Sequence, residues 1–138
     1  MSKLTMTTRD AGRGVVIVDL TGDITLGSGN IFLKQTLRSL AEQNQTKVLL
    51  NLAGVSYIDS SGLGELVAGY TAIGKVSGEL KLLNLTDRVK DLMMITKLLT
   101  VFEAYDDEAT AVGSFKIDAD DYTTGKLTPV LRQTSVVH

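Results

Sequence analysis

The stretch that most constrains the fold is KVLLNL at residues 47–52, a continuous apolar run. A strand with one wet face alternates apolar and polar residues. A strand covered on both faces does not, and this run reads as the second kind. The residues after it repeat a helix–strand unit. LGELVAGYTAIGKV at 63–76 has helical spacing, with Leu63, Leu66, Val67, Tyr70 and Ile73 expected to face the sheet. ELKLLNL at 79–85 reads as a strand, DRVKDLMMITKL at 87–98 as a helix capped by Asp87, and VFEAY at 101–105 as a short strand. DDEATAVGSF opens a last helix, with Asp106, Asp107 and Glu108 as an exposed acidic start. Strand and helix alternating with short connections mean parallel strands joined by right-handed crossovers.

The N-terminal part differs. GVVIVDLTG at 14–22 is β-branched and bounded by glycines, LTMTTR at 4–9 is a second strand, and DAGRG between them has hairpin-turn composition. NIFLKQTLRSLAEQN at 30–44 is a helix with Ile31, Phe32, Leu33, Leu37, Leu40 and Ala41 at near-helical spacing. The sheet is therefore expected to be mixed. The sequence divides into an ordered region, 1–114, and a C-terminal extension, 115–138. The extension has weak periodicity and the only proline, Pro129. It reads as a mobile tail, or as an added strand or subunit contact through LTPVL or SVV.

Composition removes several function classes. The 138 residues suit one domain, the formal net charge is −2, and Lys and Arg are spread along the chain rather than clustered into a nucleic-acid footprint. No apolar run approaches a membrane span, and MSKLTMTTRD lacks a signal-peptide apolar region. These features point to a cytoplasmic protein with neither a nucleic-acid nor a membrane partner. Cysteine is absent and the sole histidine is His138, so neither thiolate chemistry nor a zinc cluster is expected. DADDY at 118–122 lacks the glycine and closing glutamate of a calcium loop. No phosphate-binding glycine loop is present, and no cofactor is expected.

SYIDSSGLGEL at 56–66 concentrates the remaining information. A turn at Ala53-Gly54 precedes a short lead-in through Val55, Tyr57 and Ile58. Asp59, Ser60 and Ser61 then stand where a helix begins. One cap needs one residue, and three candidates are consecutive. A nucleophilic serine would need a base, which the terminal histidine does not supply, and the motif is not the G-x-S-x-G elbow. A phosphate at this helix start would gain roughly 0.3–1 kcal/mol from the helix N-terminus. It would add a charge of about −1.5 to −2 beside Asp59 and near Glu65, with no arginine in the motif to pair it. That charge would repel a partner that accepts the neutral hydroxyl.

GVSYIDSSGLGELV, preceded by KVLLNL and followed by GELKLLNLTDRVKDLMMITKLLTVFEAYDDEATAV, resembles the STAS domains of bacterial anti-sigma factor antagonists. TGDI at 21–24 and LMMITKL at 92–98 have counterparts in that family, and the likeness runs from about residue 4 to 114. Thr25 stands where the family's turn often carries a second acid. The resemblance implies an α/β STAS-like single domain, a mixed four- to five-stranded sheet with helices mainly on one side. It also implies partner switching. The unmodified protein would bind an anti-sigma factor with serine kinase activity, phosphorylation of Ser60 would release it, and a serine phosphatase would restore it. Asp59, Ser61 and Gly62 would shape the loop, with Asp23 as the nearby acid. The partner surface is expected at Asp23, the Ser60 loop, Gly64, Ala68 and one outward methionine, Met94. STAS domains also serve as unphosphorylated scaffolds or accessory subunits of transport and sensory complexes, which is the second reading.

Overall fold

The computed structural model describes residues 3–115. Five strands form one sheet in the order β1-β2-β3-β4-β5: Thr5–Asp10, Val15–Ile24, Lys47–Ile58, Glu79–Leu83 and Ala104–Tyr105. β1 is antiparallel to β2 and the remaining neighbours are parallel. The helices are α1 (Ser28–Glu42), α2 (Ser60–Lys75), α3 (Asp87–Ile95) and α4 (Glu108–Gly113), with a short 3-10 turn at Leu98–Thr100.

The layer arrangement follows from the strand order. Each crossover from β2 onward moves to the next strand in the same direction. Right-handed connections that all step one way put their helices on one face. α1, α2 and α3 accordingly share a core with the sheet through Leu33, Leu37, Leu50, Leu66, Val89 and Met93. α4 follows the last strand and is no crossover, so it packs on the other face. Ala111, Val112 and Phe115 meet Val15, Ile17, Leu49 and Leu83 there. Val48, Leu49, Leu50 and Leu52 of β3 are fully buried because both faces above this central strand are covered.

Two charged side chains hold α4 and its exit. Arg9 bridges Asp19 at 2.6 Å and Glu108 at 2.7 Å. Lys81, 4% exposed, donates to the Ser114 carbonyl at 3.1 Å and its hydroxyl at 2.9 Å, and lies 3.3 Å from both Glu79 and Glu103. Its ammonium sits over the ring of Phe115 at 4.8 Å. Phe115, the first residue of the expected extension, is only 3% exposed and belongs to this second core. The expectations for residues 116–138 lie outside the described residues.

Several local expectations change. β3 runs unbroken to Ile58, with no turn at Ala53-Gly54. Its pairing with β2 shifts register between Asp19 and Thr21 and again between Gly22 and Asp23, so an irregular ladder absorbs what reads as a turn. Thr86, not Asp87, is the N-cap position of α3; Asp87 is the first-turn acid. α3 ends at Ile95 rather than at residue 98, and the last strand begins at Ala104 rather than at residue 101. Leu33, Leu37, Leu40 and Ala41 of α1 face inward as expected, but Ile31 and Phe32 are half exposed.

Candidate functional site

The site forms where β2 and β3 end and α1 and α2 begin. The Asp59 N–H donates to the Ile24 carbonyl at 3.1 Å, joining the two strand ends. Asp59 then caps α2. Its Oδ1 accepts from the Gly62 N–H at 2.9 Å. Its Oδ2 accepts from the Leu26 N–H at 3.0 Å, across the gap to the β2–α1 loop. These amides, Gly62 first and Leu26 second, hold the Asp59 carboxyl below the usual carboxylate range. One carboxylate thus fixes both the start of α2 and the loop beside it.

Capping consumes Asp59 and leaves the serines. Ser60 is the first residue of α2, is exposed, and its side chain makes no hydrogen bond among the described residues. Ser61 is half-buried. Gly62 is buried and tight. A Cβ there would meet the Ile24 carbonyl, the Ile58 side chain (2.7 Å) and the Ile24 side chain (2.8 Å). The glycine therefore lets the helix start press against the strand ends, and in doing so it presents the Ser60 hydroxyl outward.

The other expected residues divide into two groups. Asp23 is half-buried at the same end of the sheet, in register with Tyr57, and accepts from the Ser56 hydroxyl at 3.2 Å. Gly64 is exposed with open space where a Cβ would stand. Ala68 is exposed two turns into α2. Met94 is 57% exposed while Met93 is fully buried, so one methionine does point outward. Met94, however, lies in the last turn of α3, and α3 starts from the strand ends that carry the site: the Thr86 hydroxyl donates to the Val55 carbonyl at 2.9 Å. A helix rises about 1.5 Å per residue, which carries Met94 away from that end. Val67 and Tyr70 are corrected as well. They are 37% and 39% exposed, and Gly62 and Gly69 take the inward places expected for them. Gly69 admits the Leu37 side chain of α1, so that glycine serves helix–helix rather than helix–sheet packing.

Sequence reasoning passed over Leu26, Ile31, Phe32 and Arg88. Leu26 is tied to Asp59 and is 78% exposed; Ile31 and Phe32, one turn into α1, are 55% and 50% exposed. The signal for Leu26 was a lone apolar residue inside TLGSG. Arg88, from the first turn of α3, lies 6.0 Å from the Tyr57 ring. Among the described residues no group of three or more His, Cys, Asp or Glu could hold a metal ion. No helix there is long and apolar enough to cross a membrane.

An exposed serine at a rigid helix start, on a sheet with α1–α3 on one face and α4 on the other, defines a class as well as a fold. The sequence profile of the STAS domain matches residues 8–111, and the chain belongs to that family. Its relatives include the anti-sigma-B factor antagonist of Bacillus subtilis (strain 168). The two are 37% identical over 86 residues, 62% of this chain and 77% of that one. The anti-sigma F factor antagonist of Paenibacillus polymyxa is 26% identical over 105 residues, 76% of this chain and 90% of that one. Among solved structures, the Bacillus cell fate determinant SpoIIAA in its phosphorylated form superposes with a TM-score of 0.64 at 19% identity, covering 79% of this chain and 97% of that one.

Proposed function

We propose that this protein is a cytoplasmic anti-sigma factor antagonist, a binding protein rather than an enzyme, regulated by phosphorylation of Ser60. The observation that carries the reading is the exposed Ser60 hydroxyl, without a hydrogen bond among the described residues, beside a carboxylate already committed to two amides. The names of the relatives support the antagonist role, and the phosphorylated form of a protein of the same fold supports the modification.

The switch works by charge at a fixed surface. The Gly62 and Leu26 amides are held by Asp59, so a phosphate on Ser60 finds those donors taken and a negative neighbour next to it. The loop keeps its shape, and its potential changes by about −1.5 to −2 charges. A partner docked on the neutral hydroxyl and on exposed Leu26, Ile31 and Phe32 would have to desolvate that phosphate or leave. The partner is an anti-sigma factor that carries serine kinase activity, and a serine phosphatase resets the cycle. Asp23, Ser61, Gly64 and Ala68 complete the surface in this reading; Met94 belongs to it only if the partner extends down α3.

The test is phosphorylation by an anti-sigma factor kinase and ATP, followed by intact mass and peptide mapping. One phosphate on Ser60, none on Ser60→Ala, and loss of kinase binding by the phosphorylated protein are expected. Phosphate mapped to Ser61 or Thr25, or undiminished binding after modification, would overturn the mechanism. A protein that binds the kinase yet accepts no phosphate would favour the unphosphorylated scaffold.

A further inference from the structure

The acids nearest Ser60 are already engaged, and the cations of the neighbouring helix are not. Asp59 accepts from the Gly62 and Leu26 amides, and Asp23 from the Ser56 hydroxyl. α1 carries Lys34 and Arg38, and its only acid is Glu42, its last residue. The only acid of α2 is Glu65. Lys34 and Arg38 stand four residues apart, so both occupy one side of α1. They form one wall of a shallow groove whose other wall is α2, at Glu65, Ala68 and Ala72. Both cations are exposed, and neither makes an ion pair or hydrogen bond among the described residues. Glu65 does not engage them: its Oε2 is shielded from solvent and accepts no hydrogen bond there. Two cations against one carboxylate leave the groove one charge positive, in a chain whose formal net charge is −2.

The groove is continuous with the serine site. α1 and α2 both start from the strand ends that carry it, and they meet where the Leu37 side chain enters the space at Gly69. Glu65 follows Ser60 by five residues, about 7.5 Å along the helix axis. Charges act on one another over roughly this distance at physiological ionic strength. A phosphate on Ser60 therefore acts on whatever charge is docked beside the groove. A basic partner would be repelled by Lys34 and Arg38 and drawn in by the phosphate, the reverse of a release switch. An acidic partner is attracted before modification and repelled after it. The fork of Arg38 also suits a carboxylate, which it can hold with two parallel hydrogen bonds.

We propose that the α1–α2 groove is the docking surface for an acidic face of the anti-sigma factor, with Lys34 and Arg38 pairing its carboxylates; this rests on the antagonist reading above. Calorimetry on the full-length protein, with an anti-sigma factor kinase that binds the native sequence, tests it. Lys34→Glu/Arg38→Glu should weaken binding at least about tenfold and flatten its dependence on salt. Lys34→Gln/Arg38→Gln should fall between that variant and the native protein. Lys90→Glu/Lys97→Glu makes the same change in net charge on α3 and just beyond it, and should weaken binding less than about twofold. Glu65→Gln removes the groove's acid and should bind at least as tightly as the native protein. Unchanged affinity in Lys34→Glu/Arg38→Glu would overturn the proposal. Equal losses in the two double reversals would overturn it too, since net charge alone would then account for them. So would a tenfold loss in Glu65→Gln, which would assign the groove a basic segment of the partner. The Ser60-phosphorylated protein separates this surface from the switch. Phosphorylation that releases the partner while Lys34→Glu/Arg38→Glu binds normally would overturn the surface and leave the switch. Undiminished binding after phosphorylation, with the tenfold loss in Lys34→Glu/Arg38→Glu, would overturn the switch and leave the surface.

Discussion

At the residue scale, Asp59 and Gly62 do the work that makes Ser60 available. Asp59→Ala removes a helix cap and releases Leu26, and should cost about 1–2 kcal/mol. The cost depends on pH. The folded-state pKa lies below the unfolded value of about 3.9, so the carboxylate's contribution is complete above that value and is lost as pH falls through the lower, folded one. In urea titrations the gap between wild type and Asp59→Ala should be constant above about pH 5 and close in stronger acid. A gap that widened in acid would contradict this account of Asp59. The two nearby glycines separate packing from surface. Gly62→Ala forces a methyl into the Ile24 carbonyl and the Ile58 side chain, and should destabilise by about 1–3 kcal/mol. Gly64→Ala meets open space inside a helix and should stabilise by up to about 1 kcal/mol. Chemical denaturation of both variants checks the pair; equal effects would mean that the helix start is not pressed against the strands.

At the element scale, the second face of the sheet depends on one short helix and the residue after it. α4 has only six residues, too few to be stable by themselves, and it is held by Arg9, Lys81 and apolar burial. Phe115→Ala should therefore cost about 3 kcal/mol, near the lower end for deleting a buried phenyl ring. A loss below about 1 kcal/mol in the same denaturation experiment would show that the core ends before residue 115. The alternation from residue 47 onward was legible because β3 is central and continuously apolar. The ends of the elements were less so. The start of α3 was read from the more obvious cap residue, whereas the structure uses Thr86, whose hydroxyl is engaged with Val55 on a strand 31 residues earlier. Residues 101–103 look as β-like as Ala104 and Tyr105. Val101 and Phe102 stay out of the ladder because the chain is still crossing from the 3-10 turn, where Phe102 packs edge-on against Tyr70, and Glu103 joins it only through its carbonyl, which accepts from the Leu82 N–H.

For the whole molecule, the question is which surface the partner meets. The outward face of α2 and the apolar start of α1 both border Ser60, and they can be separated. Leu26→Arg changes a side chain that is 78% exposed, so stability should move by no more than about 0.5 kcal/mol. Affinity for the proposed anti-sigma factor partner, read by calorimetry, should fall at least about tenfold, the loss of one interface anchor. Ala68→Arg, also on an exposed position, should do the same if the partner extends along α2. Normal binding by folded Leu26→Arg would remove the α1 start from the interface, and normal binding by folded Ala68→Arg would confine the contact to the serine loop and α1.

Taken alone, the sequence determined the sheet class, the hairpin followed by crossovers, and the position of the serine motif at a helix start. Each of these is carried by local periodicity and by residue types with strong backbone preferences. Only the tertiary structure decided which of three consecutive cap candidates does the capping. That depends on the Leu26 amide, brought from 33 residues away. Likewise, Val67, Tyr70, Ile31 and Phe32 fit a helical apolar stripe, yet they stand half exposed. A stripe defines a face only to within a turn, and it was the close approach of α1 and α2 at Gly69 and Leu37 that set which part of each face became core.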